Sequence, residues 1–314
     1  MGETISIAVP RKGRPLESVF DRLARRLDVT DVADDVISTL RHEKAVTKGT
    51  VEAARGDVYH RLATYSNVDD PQAPEYTLVR DDRASKPRRI VFDSVTIPID
   101  GSNGDGVPAG TSIRLVGREE PFRALRTHDF ALGFDSADLV LEEVVELRPE
   151  PLDRIADINA RIDPSDTDVE VVTGLGDTVY HTLMVAPDVA PSGVSSAVDR
   201  SFLTDYEGPL CIAPRYERLV QAVLGTETLE GIDFRYPSAE LEEEAAIADA
   251  GAGVYLTVTG STAREHGLVL GEQLFPSETV LMENTAEVSS TVAAVRSLLA
   301  TPETETELVV GSAE

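Results

Sequence analysis

Gly253-Val254-Tyr255-Leu256-Thr257-Val258-Thr259-Gly260-Ser261-Thr262-Ala263-Arg264-Glu265-His266-Gly267-Leu268 is a β-branched and aromatic run that stops at Thr-Gly-Ser-Thr and passes into a short polar segment. That pattern reads as a strand entering a tight turn from which a helical turn starts. Hydroxyls and backbone N–H groups converge at such a place, and together they suit a phosphate. The same four residues could equally cap an ordinary turn.

Working outward, apolar strands alternate with amphipathic segments. Strands are expected at 5–9, 112–116, 130–134, 168–173, 179–185, 209–213, 231–235, 253–258 and 278–282. Helices are expected near 15–27, 31–42, 50–65, 119–127, 136–144, 151–161, 194–204, 215–224, 239–249 and 287–299. The first helix has Pro15 at its opening and an apolar stripe of Leu16, Val19, Phe20, Leu23 and Leu27. Between 66 and 110 the pattern weakens to two β-like runs, 75–80 and 89–99, and a Gly-rich loop at 101–106. Residues 301–314 read as an acidic, frayed tail. The alternation predicts an α/β protein with mostly parallel sheets.

With 314 residues the chain can form two cores. No stretch approaches a membrane span, and the start lacks a basic region followed by an apolar one, so a cytoplasmic protein is expected. Cys211, the single cysteine, excludes an internal disulfide and lies in an apolar run, where it reads as a small buried residue. The five histidines (His42, His60, His128, His181, His266) show no metal-ligand spacing, and no metal site is expected. Acidic residues outnumber basic ones 56 to 29, a formal net charge of −27. Such a surface repels itself in dilute buffer and suits the screened, salty cytosol of an extreme halophile. It also lacks the basic stripe that a nucleic acid needs.

Against that background a few basic residues stand out. Lys12, one of only four lysines, and Arg14 follow the first strand, where an α/β sheet places its ligand-binding loops. Arg215 follows the strand at 209–213 in the same way and could hold a phosphate bidentately. Each could also be an ordinary solvated side chain. Asp135 and Asp138 could bind a sugar hydroxyl or a metal, or cap the helix at 136–144. Glu240 could be a site carboxylate or a solvated helix start.

Four segments, in order, resemble the ATP phosphoribosyltransferase family. They are Ile7-Ala8-Val9-Pro10-Arg11-Lys12-Gly13-Arg14-Pro15-Leu16; Ala131 to Glu142, preceded by Ile113 to Phe122; Ile212-Ala213-Pro214-Arg215-Tyr216; and the stretch quoted first, followed by Met282-Glu283-Asn284. The resemblance implies two hinged α/β lobes similar to type II periplasmic binding proteins. The first would be 1–147 plus 263–314, with an insertion at about 31–110; the second would be 148–262, carrying the phosphate loop. The implied reaction transfers phosphoribosyl from phosphoribosyl pyrophosphate to ATP, the first step of histidine biosynthesis. Thr259, Gly260, Ser261, Thr262 and Ala263 would grip the 5′-phosphate. Lys12, Arg14 and Arg215 would meet the pyrophosphate or the nucleotide, and Glu240 matches the acid of a Gly-x-x-Glu turn. Mg²⁺ would arrive on the substrate phosphates. No long-form regulatory domain follows Asn284, so a separate regulatory subunit or a homo-oligomer is implied.

The match departs in places. The family's aspartate four residues before the Thr-Gly, which holds the ribose hydroxyls, is Tyr255 here, and Ala131 and Ser136 replace a usual Asp and Gly. A phenol lacks a carboxylate's two acceptor oxygens. A second reading follows, a non-catalytic paralogue that binds phosphoribosyl pyrophosphate or a nucleotide as a sensor or accessory subunit. A transporter's solute-binding protein would share the fold but needs an export signal.

The charge yields a prediction independent of the site. The thermal unfolding midpoint should climb as salt rises from about 0.1 M to 1 M, where the screening length drops from about 10 Å to 3 Å. A flat or falling midpoint in a salt series followed by circular dichroism would contradict it.

Overall fold

In the computed structural model, β1 (Thr4–Pro10) runs between β4 (Ser112–Arg118) and β5 (Leu132–Ser136), parallel to both. The structure describes residues 2–52, 58, 61–62, 76–81, 89–99, 106–146, 156–190, 198–225, 227–238 and 242–300. Ile5, Ile7, Ala8 and Val9 are all buried, as a central strand covered on both faces requires. β2 (Tyr76–Asp81), β3 (Arg89–Pro98), β6 (Val169–Gly174) and β12 (Thr279–Asn284) complete a seven-stranded sheet in the order β2-β3-β4-β1-β5-β12-β6. A second sheet has the order β11-β7-β10-β8-β9, from β7 (Val179–Val185), β8 (Leu210–Ile212), β9 (Phe234–Arg235), β10 (Ala252–Thr257) and β11 (Val269–Ser277).

Both sheets are mixed, which corrects the expectation of mostly parallel ones. Parallel pairing is confined to β4-β1-β5 and to β10-β8-β9. The remaining pairs are antiparallel. Two causes are visible. The 31–110 region adds the antiparallel pair β2–β3 to one edge of the first sheet, and β12 enters that sheet against β5 and β6.

The described residues fall into two compact units. Unit one takes the described parts of 1–136, 164–177 and 279–305; unit two takes those of 137–163 and 178–278. These boundaries differ from the expected ones. Residues 164–177 return to unit one because β6 pairs with β12, and 263–278 stay in unit two because β11 pairs with β7. β11 itself escaped the pattern reading. Gly271 and Pro276 interrupt its sequence, its register shifts twice against β7, and it lies on a sheet edge, where proline costs no ladder bond.

Helix α1 (Arg14–Leu27) follows the sequence pattern. Gly13 caps it at φ 82°, and Asp28 ends it in the left-handed region at φ 56°. Its stripe Leu16, Val19, Phe20, Leu23 and Leu27 is buried in the core of unit one with Ile7, Val9 and Phe92. Phe20 meets Phe92 edge to face, with centroids 5.4 Å apart. The helix α2 (Thr30–Thr47) buries Ala33, Val36 and Ile37 in the same core. The expected helix at 50–65, the fronts of those at 151–161, 194–204 and 239–249, the loop at 101–105 and the tail at 301–314 lie wholly or largely outside the described residues. Among the described residues no helix is long and apolar enough to cross a membrane.

Phe20→Ala should lower stability by about 3–5 kcal/mol, since it empties a fully buried ring position in a packed core. Denaturant unfolding at constant high salt measures it. A loss under about 1 kcal/mol would mean the core closes over the gap.

Candidate functional site

Parallel strands send their C-terminal ends to one sheet edge, and loops there reach a ligand from several strands at once. In unit one these ends belong to β1, β4 and β5. After β1 the loop turns at Gly13 and places Lys12 and Arg14 at that edge. Lys12 Nζ stands 3.7 Å from Glu119 Oε2, the residue after β4, and both side chains are about one-third exposed. Arg14 is more enclosed. It donates through Nη1 to the backbone oxygen of Asp177 at 2.7 Å and to the Asp177 carboxylate.

Asp135, at the end of β5, is buried and works as a cap. Its Oδ2 accepts from the Phe122 N–H at 3.1 Å, and its Oδ1 from the Ser136 N–H at 2.9 Å. The first of these satisfies a donor in the opening turn of the helix α3 (Pro121–Arg126). Asp135 therefore caps a helix, though the preceding one rather than the one it starts.

Asp138 lies inside unit two. It occupies the first turn of α4 (Ala137–Glu143) and is 1% exposed. Its Oδ2 is 2.9 Å from His181 Nε2, its Oδ1 accepts from Ser277 Oγ at 2.9 Å, and the Tyr216 hydroxyl is a further donor. His181 stacks on Phe275 with centroids 4.3 Å apart and meets Tyr216 edge-on at 4.6 Å. Burial alone would raise the Asp138 pKa; the three donors outweigh it and hold the carboxyl below its ordinary value. An acid so enclosed is a structural centre, and the position offers a ligand no approach. Glu240 lies outside the described residues.

The hydroxyl-rich bend occupies the corresponding edge of unit two. β10 is parallel to β8 and delivers its C-terminal end beside that of β8, so the bend and Arg215 share one edge. Gly260 has φ 68°, and a Cβ there would stand 2.4 Å from Leu270 Cδ1, so this turn needs glycine. Thr259 and Ser261 are exposed, their hydroxyl oxygens 3.0 Å apart. The helical turn Ser261–Glu265 makes its first bond from Arg264 N–H to Gly260 O at 3.1 Å. Among the described residues the Thr262 and Ala263 N–H groups consequently meet no protein acceptor. Arg264 folds back, its Nη2 donating to Thr259 O at 2.8 Å and bracing the bend. Arg215 is exposed, forms no ion pair among the described residues, and holds its guanidinium 5.7 Å from the Tyr216 ring centre.

Tyr255 stands on β10 opposite Thr182 and packs against a small core containing Cys211, Ile247 and Ala263. Burial, then the Glu243 and Glu244 carboxylates, push its phenol pKa far upward, so the proton stays on. The side chain therefore presents a donor where a carboxylate would present acceptors alone. Cys211 is buried, as its apolar neighbours predict, and burial raises its thiol pKa.

Two residues emerged only from the fold. Asp177 and His181 each join a polar cluster through contacts far apart in sequence. Nothing in the local pattern distinguishes Asp177 among 56 acidic residues, and the strand position of His181 gives no hint of Asp138.

Replacing Asp138 by Ala strands His181, Ser277 and Tyr216 in the interior and should cost about 3–5 kcal/mol. The pH dependence has a definite sign. A carboxyl whose folded pKa is depressed stabilises fully above its ordinary value of 3.8, and that contribution disappears as pH falls through the lower folded value. Asp138→Asn should therefore flatten the acid side of the stability profile below about pH 4. Parallel acid titrations of the two proteins by circular dichroism would refute this if their slopes coincide.

Residues 1–310 match the family model described as halobacterial ATP phosphoribosyltransferase. No curated protein matches the sequence. Among solved structures the chain is similar to the ATP phosphoribosyl transferase (HisG:HisZ) complex from Thermotoga maritima, at 15% identity and a TM-score of 0.41, over 94% of this chain and 98% of that one. It is also similar to YhfZ from Shigella flexneri, at 10% identity and a TM-score of 0.42, over 95% and 83% of the two chains. A third is the regulatory domain of MetR, a LysR family regulator from N. meningitidis, at 14% identity and a TM-score of 0.35, over 60% and 79%. Likenesses this distant carry no argument about function. The family match spans nearly the whole sequence, and the chain belongs to the halobacterial ATP phosphoribosyltransferase family.

Proposed function

We propose that this protein transfers the phosphoribosyl group of phosphoribosyl pyrophosphate to ATP with release of pyrophosphate, working in the cytoplasm as the opening step of histidine biosynthesis. The observation that carries the reading is the bend at 259–263. Its Thr259 and Ser261 hydroxyls are exposed and the Thr262 and Ala263 amides have no protein acceptor among the described residues, a donor set suited to a terminal phosphate. In this reading the bend anchors the 5′-phosphate, which fixes the anomeric carbon for attack. Arg215, on the same edge, adds charge to the phosphate contact. Lys12 and Arg14 neutralise charge developing on the departing pyrophosphate, which carries Mg²⁺ as part of the substrate. A regulatory subunit or self-association would complete the assembly.

Tyr255 favours a second reading. A half-buried phenol that keeps its proton beside Glu243 and Glu244 is a poor substitute for a carboxylate that accepts from two ribose hydroxyls. A protein that binds phosphoribosyl pyrophosphate or a nucleotide without turnover, as a sensor or accessory subunit, would have this site.

Purified protein in high salt, given ATP, phosphoribosyl pyrophosphate and Mg²⁺, separates the two readings. Transfer predicts pyrophosphate release, with Thr259→Ala slower by at least about tenfold at limiting phosphoribosyl pyrophosphate. Thr259 is exposed, so the variant should keep its unfolding midpoint. Tight binding of phosphoribosyl pyrophosphate without release would establish the sensor. Binding of neither substrate would remove both.

A further inference from the structure

Asp177 gathers more polar contacts than its place in a short turn after β6 explains. Its Oδ1 accepts from the Thr279 N–H at 2.8 Å, its Oδ2 accepts from Thr279 Oγ1 at 2.7 Å and from Ser18 Oγ, and the same carboxylate and the Asp177 backbone oxygen receive Arg14 Nη1. Three of these donors are neutral and come from α1 and β12, so they fix the carboxylate whether or not Arg14 is present. The guanidinium is then aimed by a frame already in place. Both Arg14 and Asp177 side chains are 19% exposed, which keeps the pair at the sheet edge without sealing it inside. Arg14 opens α1 at the end of the loop that follows β1, two residues past Lys12, on the edge where a ligand approaches.

We propose that Asp177 is a positioning residue for Arg14, holding its guanidinium in one orientation so that a diphosphate meets a pre-aimed donor. The proposal rests on the reading of Arg14 as a diphosphate contact. A preset donor does not have to give up rotamer freedom when the anion arrives, and this is how a supporting carboxylate strengthens a site it does not touch. The opposing effect is repulsion between Asp177 and the anion. The three neutral donors already spread the charge of that carboxylate, so orientation outweighs repulsion.

The test is calorimetric titration of inorganic pyrophosphate, with Mg²⁺, into the full chain in high salt. The proteins are the wild type, Arg14→Ala, Asp177→Asn and the double variant. Asp177→Asn should bind pyrophosphate about tenfold more weakly, and in the Arg14→Ala background it should change nothing further. A residue that only staples β12 would add its own loss in both backgrounds. Ser18→Ala removes one neutral donor with less risk to folding and should weaken binding about twofold to threefold, again only while Arg14 is present. Additive losses, or tighter binding by Asp177→Asn, overturn the positioning role and leave the Arg14 reading standing. Wild-type binding that survives Arg14→Ala, or no wild-type binding, overturns both.

Discussion

Parallel pairing at the centre of each sheet is the constraint on which the other features rest. β1 held between β4 and β5 brings the loops after all three strands to one edge, and β10 beside β8 does the same in unit two. Backbone ladders fix these registers, so the loops inherit rigid starting points. Lys12, Arg14, Glu119 and Asp135 lie at one sheet edge for this reason, and Arg215 and the bend at 259–263 share the edge of the second sheet. The antiparallel strands on the flanks widen each sheet, and in unit one β6 and β12 also bring Asp177 and Thr279 to the edge where Arg14 lies.

An excess of acid shapes how the interior is satisfied. Asp135 caps α3, Asp138 anchors His181, Ser277 and Tyr216, and Asp177 is held by Ser18, Thr279 and Arg14. Glu142 accepts from the Arg218 and Leu219 N–H groups at the start of the helix Glu217–Leu224, while the Arg218 side chain donates to carbonyls at the end of α4. Two helix ends thus satisfy each other through one acidic and one basic residue. Carboxylates in such roles are tied to protein donors and act through the groups they hold.

The departure at Tyr255 bears directly on chemistry. Around it stand the features proposed to bind a phosphate: a left-handed turn that needs glycine, exposed hydroxyls and the amides at the start of the helical turn Ser261–Glu265. A bend that grips a terminal phosphate is a binding device in either reading, and catalysis demands in addition that the sugar be oriented. The phenol packs into the small core of unit two instead of presenting acceptors, so orientation of the sugar must come from other residues if transfer occurs.

Much was legible in the sequence because its signals are local. The stripe of α1 repeats at helical spacing, the strands read as β-branched runs, and Thr-Gly-Ser-Thr announces a turn through glycine's backbone freedom and the hydroxyls beside it. These depend on neighbours within a few residues, and both the family resemblance and the bend follow from them. Three things needed the tertiary structure. β11 is stabilised by an edge pairing that tolerates Gly271 and Pro276, so its own composition conceals it. Asp138 looked like a cap or a ligand, and only burial against His181 made it an internal anchor. Asp177 and Arg14 are 163 residues apart and meet because the first sheet holds β1 and β6 side by side through β5 and β12. Sequence by itself settled most of the elements and the residues able to bind an anion; the long-range packing of strands decided which of those residues lie exposed at a sheet edge and which are spent holding the fold.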